Sequence, residues 1–270
     1  MRAEPLDLVA PLAALLAGLA PVRVAVSGGV DSMTLALLAG RVLGAEAEMV
    51  HAVSPAVPAE ATARVQSVGA REGWRVRVID AGEFADEAYL ANPYDRCFHC
   101  KSHLYGAMAR LGAGVILSGA NTDDLDDYRP GLRAARDHGV RHPFVETGID
   151  KATVRALCAH FGYDDIAALP AAPCLSSRVE TGLRIEAQTL AFVHAVERAL
   201  RDGLQPGVVR CRVRRDGVAV EVDGATLEGL RIGDGALWEE RIAALAVAHG
   251  LAPRIRFEPY RRGSAFVADH

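Results

Sequence analysis

The 270 residues contain no low-complexity tract, no internal repeat, no excess of positive charge and no second pair of closely spaced metal ligands. A net charge of −4 runs against a nucleic-acid-binding protein, whose contact face must offset phosphate charge, so only local basic clusters remain to serve such a role. No apolar run reaches the roughly 20 residues that a membrane span needs. Leu6 to Ala20 could be taken for a signal peptide, but Glu4 and Asp7 spoil its basic lead, and Pro11 and Gly18 interrupt it. Cleavage there would also fall directly before a strand, so the segment reads as an amphipathic helix on a sheet. The chain is therefore expected to be cytoplasmic. Its five cysteines then mean thiols or metal ligands rather than a disulfide framework. Half the residues are apolar, which suits a soluble globular protein with a large core.

What is present is an alternation. Apolar β-like runs at Val22–Val26, Glu48–Val53, Arg75–Asp80 and Gly114–Leu117 are separated by helical patterns near 33–39, 58–72, 83–90 and 98–111. Such alternation implies parallel βαβ units and an α/β fold with an open, doubly wound, mostly parallel sheet. Another helix follows Asp150, and the Pro- and Ala-rich stretch Ala167 to Pro173 reads as a connector. Beyond it the pattern changes to helix (186–201), strand (208–213), strand (218–222), helix (236–249) and strand (254–257). The expected division is a domain of residues 1–180 carrying the key cysteines and a smaller α+β domain of residues 181–270.

Ligands of an open α/β sheet bind beyond the carboxyl ends of its strands. Two loops occupy that position. Ser27-Gly28-Gly29-Val30-Asp31-Ser32 links the first strand to a helix. Its glycines let backbone N–H groups approach an anion, its serines add donors, and the helix dipole favours negative charge. It is not a Walker A loop, because no lysine follows. Asp31 stands there instead, and a carboxylate beside phosphates makes sense with Mg²⁺ between them. The plainer alternative is a turn with Asp31 or Ser32 as helix cap. Ser118-Gly119-Ala120-Asn121-Thr122-Asp123-Asp124 ends the fourth strand, followed by Asp127-Tyr128-Arg129. Its acids could hold the same metal or simply cap a helix.

Cys97-Phe98-His99-Cys100 is a C-x-x-C, and Cys174 lies in Pro173-Cys174-Leu175-Ser176-Ser177-Arg178. The pair alone fits half a zinc site, a redox pair or an iron–sulfur corner. Three cysteines on a 4Fe–4S cluster would leave one iron open for exogenous sulfide; three unrelated thiols are the alternative. Cys158 and Cys211 sit in apolar patterns and read as core. Arg210, Arg212 and Arg214 share one strand face, either as a seat for phosphate or carboxylate or as a solvated face.

Together these segments resemble one family. The loop at Ser27 to Ser32 looks like the signature of the PP-loop ATP pyrophosphatases. The runs Ser118 to Asp124, Asp127 to Gly131 and Pro173 to Arg178, with Arg210-Cys211-Arg212 and Glu221, look like its LarE type, the sulfur transferases of nickel-pincer nucleotide biosynthesis. The resemblance implies that ATP adenylates a carboxylate of pyridinium-3,5-biscarboxylic acid mononucleotide, releasing pyrophosphate, and that sulfur displaces AMP. Some members sacrifice the sulfur of a cysteine matching Cys174; others use a 4Fe–4S cluster with sulfide or another sulfur donor. Cys97 and Cys100 place this chain with the second kind, so Cys97, Cys100 and Cys174 would be ligands, and with Asp31 the catalytic set. Ser27 to Ser32, Gly119, Asn121 and Asp123 would bind ATP, with Mg²⁺ near Asp31. Arg210, Arg212, Ser177, Arg178, Glu221 and Arg129 would face the substrate. A homo-oligomer, a hexamer in one form, is implied as well. The chain departs from the pattern at Ile166 to Pro170, where many relatives carry a lysine; Lys101 or Lys151 would have to replace it. The competing readings are a cluster-using tRNA thiolase and a nucleotide-binding module without turnover.

Overall fold

The computed structural model describes residues 9–125, 130–171 and 173–266. They fall into two compact units, 9–83 with 97–171 and 84–96 with 173–266. Among the described residues the division by contacts lies between 171 and 173, and the second unit takes in both Cys174 and a segment from the middle of the chain. Hydrogen bonds account for this. Asn92 donates through Nδ2 to the Glu180 carbonyl at 2.8 Å, and Gly182 and Ile185 donate their N–H groups to the Asn92 and Leu90 carbonyls.

The first unit runs α1 (Val9–Leu19), β1 (Val22–Ala25), α2 (Val30–Leu43), β2 (Ala47–Ala52), α3 (Ala59–Glu72) and β3 (Arg75–Ile79). The chain then passes through the short α4 (Glu87–Leu90) of the second unit. The first unit resumes in α5 (Arg96–Ala109), β4 (Val115–Leu117), α6 (Pro130–Asp137), α7 (Pro143–Glu146), α8 (Lys151–His160) and α9 (Asp164–Ala167). Its strands pair in the order β3-β2-β1-β4, all parallel. Side chains of a strand alternate between faces, and the core divides accordingly. Val24, Met49 and Leu117 pack with α1, α2, α3 and α8 on one face. Val50 and Ile116 pack with Tyr105 and Met108 of α5 and Ala134 and Ala135 of α6 on the other. Leu12 and Leu16 of α1 are fully buried, so the N-terminal apolar stretch forms a core helix over its described part. Both faces being covered, the sheet is doubly wound as the alternation predicts, and the order reverses between β1 and β4.

The second unit continues with α10 (Ala187–Leu204), β5 (Val209–Arg214), β6 (Gly217–Val222), α11 (Gly224–Ile232), α12 (Gly235–Ala248) and β7 (Ile255–Pro259). Its sheet is mixed, β5 antiparallel and β7 parallel to the central β6. Helix α11 was not expected. Asp223 caps it, accepting the Thr226 N–H at 3.0 Å, but Asp223-Gly224 after a strand reads from sequence as a turn. Among the described residues no helix is long and apolar enough to cross a membrane.

Candidate functional site

The loop from Ser27 to Ser32 lies at the carboxyl end of β1, beside the point where strand order reverses. Gly28 has φ +81°, and a Cβ there would lie 2.8 Å from the Ala61 carbonyl of α3, so only glycine fits. Gly29 is the N-cap of α2, and no side chain caps the helix. Ser32 turns inward: its Oγ donates to the Gly29 carbonyl at 3.1 Å and accepts the Ser27 N–H at 3.0 Å. Neither Asp31 nor Ser32 is the cap, which leaves the first-turn N–H groups available to an anion.

The second loop closes against the first. A Cβ on Gly119 would come within 2.8 Å of Asp31 backbone and 2.9 Å of the Ser32 nitrogen. Asn121 is buried, and its Nδ2 donates to Asp31 Oδ1 at 3.1 Å. Its own Oδ1 accepts the Asp123 N–H, while Asp124 accepts the Asn121 N–H, each at 3.1 Å. These acids therefore shape a 3₁₀ turn, Thr122–Leu125. The Thr122 N–H bonds the Ile149 carbonyl, tying the turn to the start of α8. From there the Lys151 ammonium reaches Asp31 Oδ2. On the other flank, Arg64 of α3 donates to the Gly28 carbonyl at 2.8 Å. Arg129 lies outside the described residues.

Sequence reasoning singled out neither Arg64 nor His142. Burial holds the His142 imidazole below its ordinary pKa, against the opposing pull of the Ser118 backbone and Glu146. His142 follows Arg141, which pairs beside Leu117 of β4. That pairing is a tertiary contact, and no sequence pattern marked His142.

Asp31 presents a hard oxygen donor in the first turn of α2, beside its uncapped N–H groups. This donor chemistry fits Mg²⁺, which takes one or two carboxylates and completes its shell with substrate phosphates and water.

Cys97 and Cys100 lie in the first turn of α5, three residues apart and so on one helix face. Both are partly exposed and in no disulfide. Among the described residues no group of three or more His, Cys, Asp or Glu forms a ready metal centre. The donor chemistry, reduced and accessible thiols, fits an iron–sulfur cluster. By contrast Cys158 and Cys211 are buried, and burial pushes both thiols up in pKa.

In the second unit Cys174 begins a 3₁₀ turn, Leu175–Arg178. Its carbonyl accepts from the Ser177 N–H at 3.0 Å, from Ser177 Oγ at 2.8 Å and from Arg178 Nη1 at 3.1 Å. Arg178 is buried and forked onto Glu197 of α10, Nε to Oε1 at 2.8 Å and Nη2 to Oε2 at 3.1 Å. Glu197 also accepts the Cys211 N–H and a donor from Arg201. Burial opposes the Glu197 charge, but the Arg178 fork outweighs it and holds the carboxyl below its usual range. Ser177 and Arg178, expected to face substrate, are buried and hold the cysteine turn through the Cys174 carbonyl.

The arginine face of β5 is not an open seat. Arg212 is 3% exposed, bonded to Glu221 at 3.1 Å and to the Ser177 carbonyl at 3.0 Å. Arg214 bridges Glu221 at 2.9 Å and Glu258 of β7 at 3.0 Å. Glu221 is fully buried as their counter-ion, and Ser264 also donates to it. The cause is cross-strand: alternate positions of β5, β6 and β7 put these charges on one face, within diagonal reach. Arg210 stacks towards Tyr260 at 5.9 Å and donates to the Val209 carbonyl. Burial, then the Arg178 charge, lowers its pKa.

No family model matches the chain. It is 38% identical over 200 residues to an uncharacterized protein of Synechocystis sp., covering 72% of each chain. It is 31% identical over 238 residues to the pyridinium-3,5-bisthiocarboxylic acid mononucleotide synthase of Lactiplantibacillus plantarum, covering 86% of this chain and 84% of that one. A third relative, an uncharacterized protein of Methanocaldococcus jannaschii, is 24% identical over 204 residues, 74% of this chain and 77% of its own.

Proposed function

Since the chain belongs to the pyridinium-3,5-bisthiocarboxylic acid mononucleotide synthase (LarE) family, we propose that it is the ATP-dependent sulfur transferase converting the biscarboxylate mononucleotide to its thiocarboxylates. The observation that carries the ATP-dependent part is the closure of two loops on Asp31 at the strand-order reversal, beside an uncapped helix N-terminus.

The loop N–H groups and Ser27 would hold the phosphates of ATP. Mg²⁺, held by Asp31, would screen the charge on them. A carboxylate oxygen of the mononucleotide attacks the α-phosphorus, the bond to the bridging oxygen breaks, and pyrophosphate leaves with the electron pair. The acyl-adenylate is then open to a sulfur nucleophile, which replaces AMP at the carbonyl carbon. Lys151 and Arg64 supply positive charge next to the loop that its own sequence lacks. A 4Fe–4S cluster on Cys97, Cys100 and Cys174 would supply an open iron to bind sulfide; what supports it is that the three thiols are partly exposed and in no disulfide. The turn that carries Cys174 is held by Arg178. Arg210 and Arg212 of β5 are the residues proposed to meet the substrate phosphate.

Asp31→Ala should lower mononucleotide-dependent pyrophosphate release by about 100-fold or more, the usual scale for losing a group that stabilises transferring phosphoryl charge. Release at the wild-type rate would place the metal elsewhere. Separately, protein reconstituted anaerobically should bind iron and sulfide, and Cys174→Ala should lose both; stoichiometric zinc without iron would reject the cluster.

A further inference from the structure

The phosphate loop carries no lysine, yet a lysine is bonded to it. Lys151 comes from 120 residues away to pair with Asp31. It stands at the first position of α8, directly after the Asp150 cap. The chain uses lysine only here and at Lys101, and arginine everywhere else it needs a fixed positive charge. An arginine fork suits a permanent partner, whereas the lysine ammonium is a compact charge on a flexible stem and exchanges partners readily.

Both oxygens of Asp31 are engaged, Oδ1 by Asn121 and Oδ2 by Lys151. Each oxygen keeps a further lone pair, but a divalent cation arriving on Asp31 would meet the Lys151 ammonium charge beside it, so the ammonium and the metal compete for the same carboxylate. Asn121 is 1% exposed and built into its turn through both its amide oxygen and its backbone N–H. Lys151 is the partner that can leave, since its side chain is 31% exposed. The departing ammonium then lies beside the anion site of the loop.

We propose that Lys151 is a place-holder cation that neutralises Asp31 in the empty loop and, when divalent metal and nucleotide arrive together, yields Asp31 to the metal and moves onto the phosphates. The inference rests on the nucleotide-binding reading of this loop and extends it to the order of binding. Metal alone must displace the ammonium with no phosphate to receive it, so it binds weakly. Nucleotide supplies the new partner, so the two ligands bind cooperatively, and by linkage each raises the affinity of the other by the same factor.

The test uses the full-length protein, Mn²⁺ as the metal, read from the free-ion signal in electron paramagnetic resonance, and α,β-methylene ATP as the nucleotide. For wild type, the nucleotide should tighten Mn²⁺ binding by about tenfold or more, within the usual range of coupling between sites. In Lys151→Met, Mn²⁺ alone should bind about tenfold tighter than to wild type, the coupling should fall towards one, and nucleotide affinity should drop. Lys151→Gln should behave likewise and guards against a folding defect in the first variant. The tight Mn²⁺ site should vanish in Lys151→Met/Asp31→Asn. The exchange is overturned if both variants bind Mn²⁺ no tighter than wild type and keep the coupling. A wild-type protein that binds no nucleotide at any Mn²⁺ level overturns the nucleotide reading, and the exchange with it.

Discussion

At the scale of single residues, the loop works by what it omits. Gly28 and Gly119 lack a Cβ where another part of the backbone comes within 2.8 Å of the position it would take. Gly28→Ala must also accept φ +81°, so it should unseat the turn from α3 and lower nucleotide affinity by about tenfold or more, as overpacking costs about 1–3 kcal/mol. Gly73→Ala is the control. It has φ +68° with nothing within 4 Å, so it should cost about 1 kcal/mol of stability for the left-handed conformation and leave nucleotide affinity unchanged. Calorimetric titration with ATP, alongside urea melts, checks both. Equal affinity losses in the two variants would mean that the Gly28 effect is only backbone strain. These glycines were legible in the sequence because a strand-to-helix turn requires them. Arg64 was not identifiable as a loop partner, since its contact spans 36 residues and no local pattern encodes such a separation. Lys151 was one of the two lysines named to replace the connector's, but its pairing with Asp31 across 120 residues could not be read locally.

At the scale of elements, the Cys174 turn depends on α10. Glu197 anchors Arg178, and Arg178 donates to the Pro173 and Cys174 carbonyls. Removing one partner of a buried pair costs about 3–5 kcal/mol, so Glu197→Gln should lose stability of that order at pH 7. The Glu197 carboxyl is held below its usual range, so its contribution is present above the unfolded pKa of about 4.3. That contribution fades as pH falls through the lower folded value. The gap between wild type and Glu197→Gln in urea unfolding should therefore narrow as the pH drops below about 4. A gap that stays constant into acid would show that charge is not what Glu197 contributes. The strands and long helices were legible because their apolar periodicity survives inspection residue by residue. The arginine face of β5 was legible as a face, but not as a closed one. Glu221 and Glu258 come from β6 and β7, and only the register brings them against it.

At the scale of the whole molecule, a parallel sheet in the first unit presents the two loops proposed to bind nucleotide, and a mixed sheet in the second carries the Cys174 turn and the charge ladder. The α/β class followed from strand–helix alternation. The assignment of 84–96 to the second unit did not, since hydrogen bonds to 179–185 decide it. Family membership supplies the substrate to try. The account's central claim is that this chain activates a carboxylate of that substrate with ATP. The most direct measurement is pyrophosphate and AMP release by anaerobically reconstituted protein given ATP, Mg²⁺, sulfide and pyridinium-3,5-biscarboxylic acid mononucleotide, with the mass of the mononucleotide followed in parallel. The account predicts that pyrophosphate and AMP appear only with the mononucleotide present, and that each turnover replaces one carboxylate oxygen by sulfur. ATP breakdown indifferent to the mononucleotide, or no breakdown while ATP is bound, would contradict it.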